Sequence, residues 1–271
     1  MAGNTVADAW QPSETFPTAA GERSQALAEL DATLRRKRAE RVMTRDEATA
    51  LVRRFEGYVV DYAEKYLIPS GWFASIQSRL SEDLNGPVPW ITYPALRVLP
   101  QLLEPSFRVL EYGSGGSSLW FGRRVAQVVS VEHNRNWARW VAQHAGANNV
   151  IVEIPEQATI EPEFLAATGS DAGQPVAGAS YAAEILRYPP GYFDVAYIDG
   201  IARPLCAQLA ASRLSGAGFI LLDNSERPSF APAGDALREA GYRRIDFWGT
   251  GAVNPYEWCT SVFLPRESGL L

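Results

Sequence analysis

One stretch constrains this chain more than any other: Arg108-Val-Leu-Glu111-Tyr-Gly113-Ser-Gly115-Gly116-Ser-Ser118, followed by Val128-Val-Ser-Val-Glu132-His-Asn134. An apolar run ends in a carboxylate and turns through glycines into a helical segment. A second apolar run then ends in another carboxylate, 21 residues after the first. This pattern holds a nucleoside-bearing ligand at the carboxyl ends of parallel strands. The glycines let the backbone approach the ligand, because a Cβ would clash with the turn and with whatever lies on it. Glu132, at the tip of the second strand, can accept hydrogen bonds from both hydroxyls of a ribose.

The same alternation of strand and helix continues downstream. Strands are expected near residues 107–111, 126–131, 149–153, 193–198 and 218–222, which implies a parallel sheet with right-handed crossovers. Tyr242–Trp248 and Trp258–Phe263 read as strands of a different kind. The short non-helical link between them, Gly249-Thr-Gly-Ala-Val-Asn-Pro255, suits an antiparallel pair at the sheet edge.

Glu111 precedes the first glycine, where it would repel a pyrophosphate but tolerate a ligand with a cationic end. With the glycines after it, it forms the E/D-x-G-x-G pattern, and from about Trp90 to Leu264 the chain resembles the class I S-adenosylmethionine-dependent methyltransferases. The resemblance implies an α/β, Rossmann-like methyltransferase fold: a seven-stranded, mostly parallel sheet with an antiparallel last strand, here preceded by an N-terminal helical extension. An NAD-type Rossmann domain is the alternative. Ser118 stands where its third glycine belongs, and such a domain more often ends in a sixth parallel strand.

The resemblance also implies roles. Gly113, Ser114 and Gly115 would lie beneath the methionyl part of S-adenosylmethionine, with Glu111 facing its amino group. Backbone N–H groups near Ser117 would meet its carboxylate at a helix start. Glu132 would hold the ribose, and His133 and Asn134 would line the adenosine edge. Trp137 and Trp140, on the helix that follows, read as packing. Thr92 or Tyr93, in a segment expected to fold back over the cofactor, would reach the methionyl carboxylate.

Strand four ends in Asp199-Gly200 and strand five in Asp223-Asn224, side by side where open α/β sheets build their sites. Asp199, Asp223 and Asn224 look like the metal site of catechol and caffeoyl-coenzyme A O-methyltransferases, which implies Mg²⁺ that lowers the pKa of an acceptor hydroxyl. Those enzymes carry a lysine three positions after the first aspartate; here that position is Ala202, and Arg203 follows it. Arginine is too basic for a general base, so Arg203 is expected to clamp an acidic substrate group. Without a metal, the two acids would orient loops or cap helices.

The expected activity is therefore methyl transfer to a small molecule, foremost O-methylation of a sugar or secondary metabolite. Metal-independent N-methylation and a non-catalytic nucleotide-binding role stand as alternatives. A net charge of −6 argues against broad nucleic-acid binding. The basic run Arg35-Arg36-Lys37-Arg38 reads as a solvated helix face. No apolar run is long enough for a membrane span and no signal peptide is evident. Two cysteines, Cys206 and Cys259, fit a reducing cytoplasm, and two histidines exclude a multi-histidine zinc site.

Residues 1–20 are expected to be loosely ordered, and residues 21–89 to form the helical extension. That extension would comprise a helix over Ser24–Arg41, another from the Thr44-x-x-Glu47 capping box to just before Pro69, and a short one over Trp72–Leu80. The aromatic face of Leu51, Phe55, Tyr58, Val59, Tyr62 and Tyr66 suits either a lid over the acceptor pocket or a homodimer interface. Residues 90–271 would form the cofactor-binding domain, with the Ala- and Gly-rich segment 156–180 as a partial cover over the cofactor.

Overall fold

The central strands of the main sheet are short, mostly apolar and buried on both faces, as a parallel sheet covered by helices requires. In the computed structural model, residues 44–78, 81–83, 86–170 and 176–266 are described, without the side chains of Leu51 and Glu82. The expectations for 1–20, for the Ser24–Arg41 helix and for the basic run at 35–38 lie outside the described residues.

The strands are β1 (Arg108–Tyr112), β2 (Gln127–Glu132), β3 (Asn149–Glu153), β4 (Val195–Ile198), β5 (Phe219–Leu222), β6 (Tyr242–Gly249) and β7 (Trp258–Pro265). They form one sheet in the order β3-β2-β1-β4-β5-β7-β6. The first five are parallel, whereas β7 runs antiparallel to both β5 and β6. This is the Rossmann-like methyltransferase topology expected from the sequence. The strand order turns outward from β1 in one direction and from β4 in the other. The crevice between their carboxyl ends is where a ligand site forms in such a sheet.

Period-two alternation sends each strand's side chains to opposite faces. Leu110, Tyr112, Val129, Val131, Ile198 and Leu222 pack on one face, beneath Tyr181, Ile185, Cys206 and Leu237. Val109, Val128, Val195, Tyr197 and Leu221 pack on the other, against Ile91, Leu99, Trp120 and Phe121. Helices α1 (Arg45–Arg54), α2 (Glu56–Tyr62) and α3 (Trp72–Ser78) precede the sheet, and α4 (Tyr93–Leu102), α5 (Gly116–Gly122), α6 (Arg135–His144), α7 (Arg203–Ala211) and α8 (Ala231–Glu239) supply most of its cover.

The chain divides into two units, residues 1–68 and 69–271. In the first, the capping box is present: the Thr44 N–H donates to Glu47 Oε2 (2.7 Å), and the Glu47 N–H donates to Thr44 Oγ1 (3.2 Å). The helix it starts is not continuous. It runs over Arg45–Arg54, breaks at Phe55, resumes over Glu56–Tyr62 and ends in a π-turn at Ala63–Leu67. Gly57, a weak helix former, lies in the first turn after the break.

The extension expected to reach residue 89 ends at 68. The helix over Trp72–Ser78 belongs to the sheet unit, where the Trp72 indole N–H donates to the Asn254 carbonyl (3.0 Å) and Ser75 Oγ accepts from the Val253 N–H (2.9 Å). Among the described residues no helix is long and apolar enough to cross a membrane.

Phe121 is fully buried and its ring lies 5.7 Å from that of Tyr197 under β4. Truncating it to alanine should therefore cost about 3–5 kcal/mol, read as a lower urea midpoint with an unchanged slope.

Candidate active site

The loop after β1 and the loop after β4 meet backbone to backbone. Gly113 holds φ +98°, and a Cβ there would lie 2.8 Å from the Gly200 nitrogen. At Gly200 a Cβ would collide with the Tyr181 hydroxyl and come within 3.0 Å of the Gly113 nitrogen. The glycine loop is thereby seated on the residue that follows Asp199.

Its other side is tied to β2. Glu132 accepts from the Ser114 N–H (2.9 Å) and hydroxyl (3.0 Å) on Oε2, and from the Asn134 N–H (2.8 Å) on Oε1. His133 Nδ1 lies 3.1 Å from the same Oε1. Burial pushes the Glu132 carboxyl up, but His133 and the Asn134 and Ser114 N–H groups outweigh it and hold the group below its ordinary range. The hydrogen bond to Glu132 raises His133 in return.

Asn134 serves as the N-cap of α6, its side chain accepting from the Trp137 N–H (3.1 Å). Trp137 does more than pack, since its indole N–H donates to the Ser114 carbonyl (2.6 Å). Its ring stacks on Trp140, with centroids 4.9 Å apart, and Trp140 stacks in turn on His144.

Glu111 sits beneath the loop, fully buried. Its Oε2 accepts from the hydroxyls of Ser118 and Ser130, while Oε1 has no hydrogen-bond partner. Burial, against the serine hydroxyls beside it, raises its pKa to about 7. Ser117 is buried in the first turn of α5.

Thr92 does not face a ligand. Its hydroxyl donates to the Phe247 carbonyl (2.9 Å) and its N–H to Thr260 Oγ1 (3.1 Å), so the only side-chain proton it could offer a cofactor carboxylate is spent inside the fold. Tyr93 is buried, and its N–H donates to the Thr250 carbonyl (2.8 Å). The segment is held by β6, β7 and the turn that joins them, contacts far away in sequence.

At the ends of β4 and β5, Asp199 Oδ2 accepts from the Tyr197 hydroxyl (3.1 Å). Asp223 Oδ1 accepts from the Trp258 indole (3.0 Å) and the Thr260 hydroxyl (2.5 Å). Burial and then the Asp199 carboxylate raise Asp223 to about 7. Burial raises Asp199 as well, against the pull of Arg203.

Arg203 is not the open clamp expected for an acidic substrate. Its Nε donates to the Gly200 carbonyl (3.0 Å), Nη1 to the Asp223 carbonyl (2.6 Å) and Asn224 Oδ1 (3.3 Å), and Nη2 to the Asp199 carbonyl (2.5 Å). Nη2 also lies 2.9 Å from Asp199 Oδ1. The five N–H donors of a guanidinium are thus all committed.

The same geometry corrects the expected Mg²⁺ site. Asp199 and Asn224 each turn an oxygen to a fixed cation, and one Asp223 oxygen is spent on Trp258 and Thr260. The residues do not fit a divalent ion. Among the described residues no group of three or more His, Cys, Asp and Glu side chains is placed to hold one.

The segment expected as a cover folds into one-turn helices at Pro162–Phe164 and Leu165–Thr168. It is fastened by Ser180, whose hydroxyl donates to the Ala158 carbonyl (2.6 Å), and by Arg187, which pairs with Glu161 and Glu184. Between it and the carboxyl end of β3 lies a cavity of about 200 Å³, whose lining includes Glu153, Ile154, Pro155, Phe164 and Ser180.

No protein-family model matches the chain, and no curated protein does. Several solved structures resemble it. One is a precorrin-6y C5,15-methyltransferase from Geobacter metallireducens, with 14% identity over 70% of this chain and 96% of that one and a TM-score of 0.46. Another is a TehB-like SAM-dependent methyltransferase from Corynebacterium glutamicum, with 11% identity over 78% and 100% and a TM-score of 0.44. A third is spermidine synthase from Thermotoga maritima, with 15% identity over 64% and 58% and a TM-score of 0.43.

Two outcomes follow from this geometry. Gly113→Ala should lower stability by about 1–3 kcal/mol, because the positive φ and the Gly200 backbone both oppose a Cβ; the change reads out in the thermal midpoint. Glu111 favours its protonated form in the folded state, so its contribution is full below about pH 4.5 and is lost as pH rises through about 7. That loss is on the order of 3 kcal/mol. The melting temperature of Glu111→Gln relative to the unsubstituted protein should therefore climb between pH 5 and pH 8.

Proposed function

We propose that this protein is an S-adenosylmethionine-dependent methyltransferase that methylates a hydroxyl of a small acceptor such as a sugar or secondary metabolite. The observation that carries the reading is Glu132, a carboxylate held charged at the tip of β2 and bonded to the glycine loop beside it. Two further acids stand at the ends of the neighbouring strands β4 and β5.

S-adenosylmethionine supplies, when bound, an electrophilic methyl on a sulfonium. Glu132 would hold the ribose diol, in exchange for the Ser114 hydroxyl and His133 that occupy its oxygens here. β3 lies beside β2 with Glu153 opposite Glu132, so the cavity lined by Glu153, Ile154 and Phe164 is the space that would take a base next to a ribose on Glu132. The buried Glu111, its carboxyl pushed toward neutrality, lies below the glycine loop that would carry the methionyl end.

Transfer to a hydroxyl needs the nucleophile in line with the methyl, and a place for the hydroxyl proton. Asp223 would offer that place: Trp258 and Thr260 fix its carboxyl through Oδ1, and its raised pKa suits a group that takes up a proton. Asp199, paired with Arg203, contributes to orienting the acceptor. No step requires a divalent ion.

Calorimetry with S-adenosylhomocysteine tests this reading. We expect micromolar binding to the unsubstituted protein, weakened at least about tenfold, roughly 1.4 kcal/mol, by Glu132→Ala. Stabilisation by NAD(H) with none by S-adenosylhomocysteine would overturn it.

A further inference from the structure

The loops after β4 and β5 each begin with an acid, Asp199 and Asp223, and carboxylates with waters are the ligands that a hard divalent cation takes. Here the charge that joins the two loops is covalently attached to the protein: it contacts the Asp199 carboxylate and the Asp223 backbone carbonyl. Three of the five acceptors around Arg203 are backbone carbonyls, those of Asp199, Gly200 and Asp223. The other two are the side chains of Asp199 and Asn224. The guanidinium is buried and lies 4.7 Å from the centre of the Phe230 ring, which shields it from water.

The backbone on both sides has adapted to this seat. Ala202, immediately before Arg203, and Asn224, which accepts from it, both hold φ +50°. A left-handed conformation costs a residue with a Cβ on the order of 1 kcal/mol or more, and asparagine tolerates it better than alanine. Such strain persists only where surrounding contacts over-determine it, and the five-bond fork is the contact common to both loops.

We propose that the Arg203 guanidinium serves as a built-in monocation in place of a divalent metal, so that the spacing and charge of the Asp199–Asp223 pair are set without one. Arg203 is a positioning residue: it fixes the two loops and pairs with Asp199, while the Asp223 carboxyl is held by Trp258 and Thr260. A planar fork suits this task better than lysine, whose ammonium has only three donors and no fixed plane. The inference stands on this cluster alone and does not depend on which cofactor the glycine loop holds.

The test uses the full-length protein with Mg²⁺, Mn²⁺ and guanidinium chloride as probes. Calorimetry should show no stoichiometric Mg²⁺ or Mn²⁺ binding to the unsubstituted protein, and EDTA should leave both its melting temperature and its S-adenosylhomocysteine affinity unchanged. Arg203→Ala should melt several degrees lower, and low-millimolar guanidinium or Mn²⁺ should restore most of the loss where NaCl of equal ionic strength does not. Arg203→Lys should fall between the two, and it replaces Arg203→Ala as the readout if that variant does not fold. Stoichiometric Mg²⁺ or Mn²⁺ binding to the unsubstituted protein that Asp199→Asn removes would overturn the proposal. So would an Arg203→Ala protein that melts normally or responds equally to NaCl. Loss of S-adenosylhomocysteine binding with these cation results intact would count against the cofactor reading alone.

Discussion

The contact between Gly113 and Gly200 governs the rest of the site. Two loops from adjacent parallel strands can approach to backbone distance only if neither carries a side chain at the crossing. Once they do, the glycine loop cannot move independently of Asp199, and the Asp199 loop is tied through Arg203 to that of Asp223. Glu132 completes the frame by holding Ser114 from the opposite side. The carboxyl edge of the sheet is thus a cross-linked surface rather than a set of separate loops.

Four acids lie along that edge, and the protein handles each differently. Glu132 stays charged because it collects N–H donors and a histidine. Glu111 is driven toward neutrality because its only partners are hydroxyls and it lies in the core. Asp199 is matched by a guanidinium. Asp223 is held by an indole and a hydroxyl, with no cation touching its carboxyl. Four like charges at the ends of three adjacent strands and their neighbour would otherwise repel one another, and these separate arrangements keep them together in a small space.

Much of this was legible in the chain. The seven strands stand close to their expected positions, and the capping box at Thr44 and Glu47 forms as read. Glu132 stands at the tip of β2 as expected, but its bonds to Ser114 in the glycine loop appear only in the folded chain. The metal trio and the Arg203 clamp were misjudged, because spacing puts oxygens at neighbouring strand ends but does not say where a nearby guanidinium turns. Thr92 was misjudged for a similar reason: its partners Phe247 and Thr260 lie more than 150 residues away. Trp137 does carry a signal in the sequence, a donor-bearing ring about one turn after the acid that ends β2.

The sequence by itself determined the order of strands and helices, the antiparallel edge and the acids that face the crevice. Those depend on hydrophobic period, turn residues and strand ends, which are local properties. Only the tertiary structure decided the protonation preference of each acid, the extent of the unit that carries the site, and the identity of the cation between Asp199 and Asp223. These rest on burial and on partners brought in from β6, β7 and the far ends of neighbouring loops. Burial and long-range pairing are properties of the packed chain, and no window of sequence contains them.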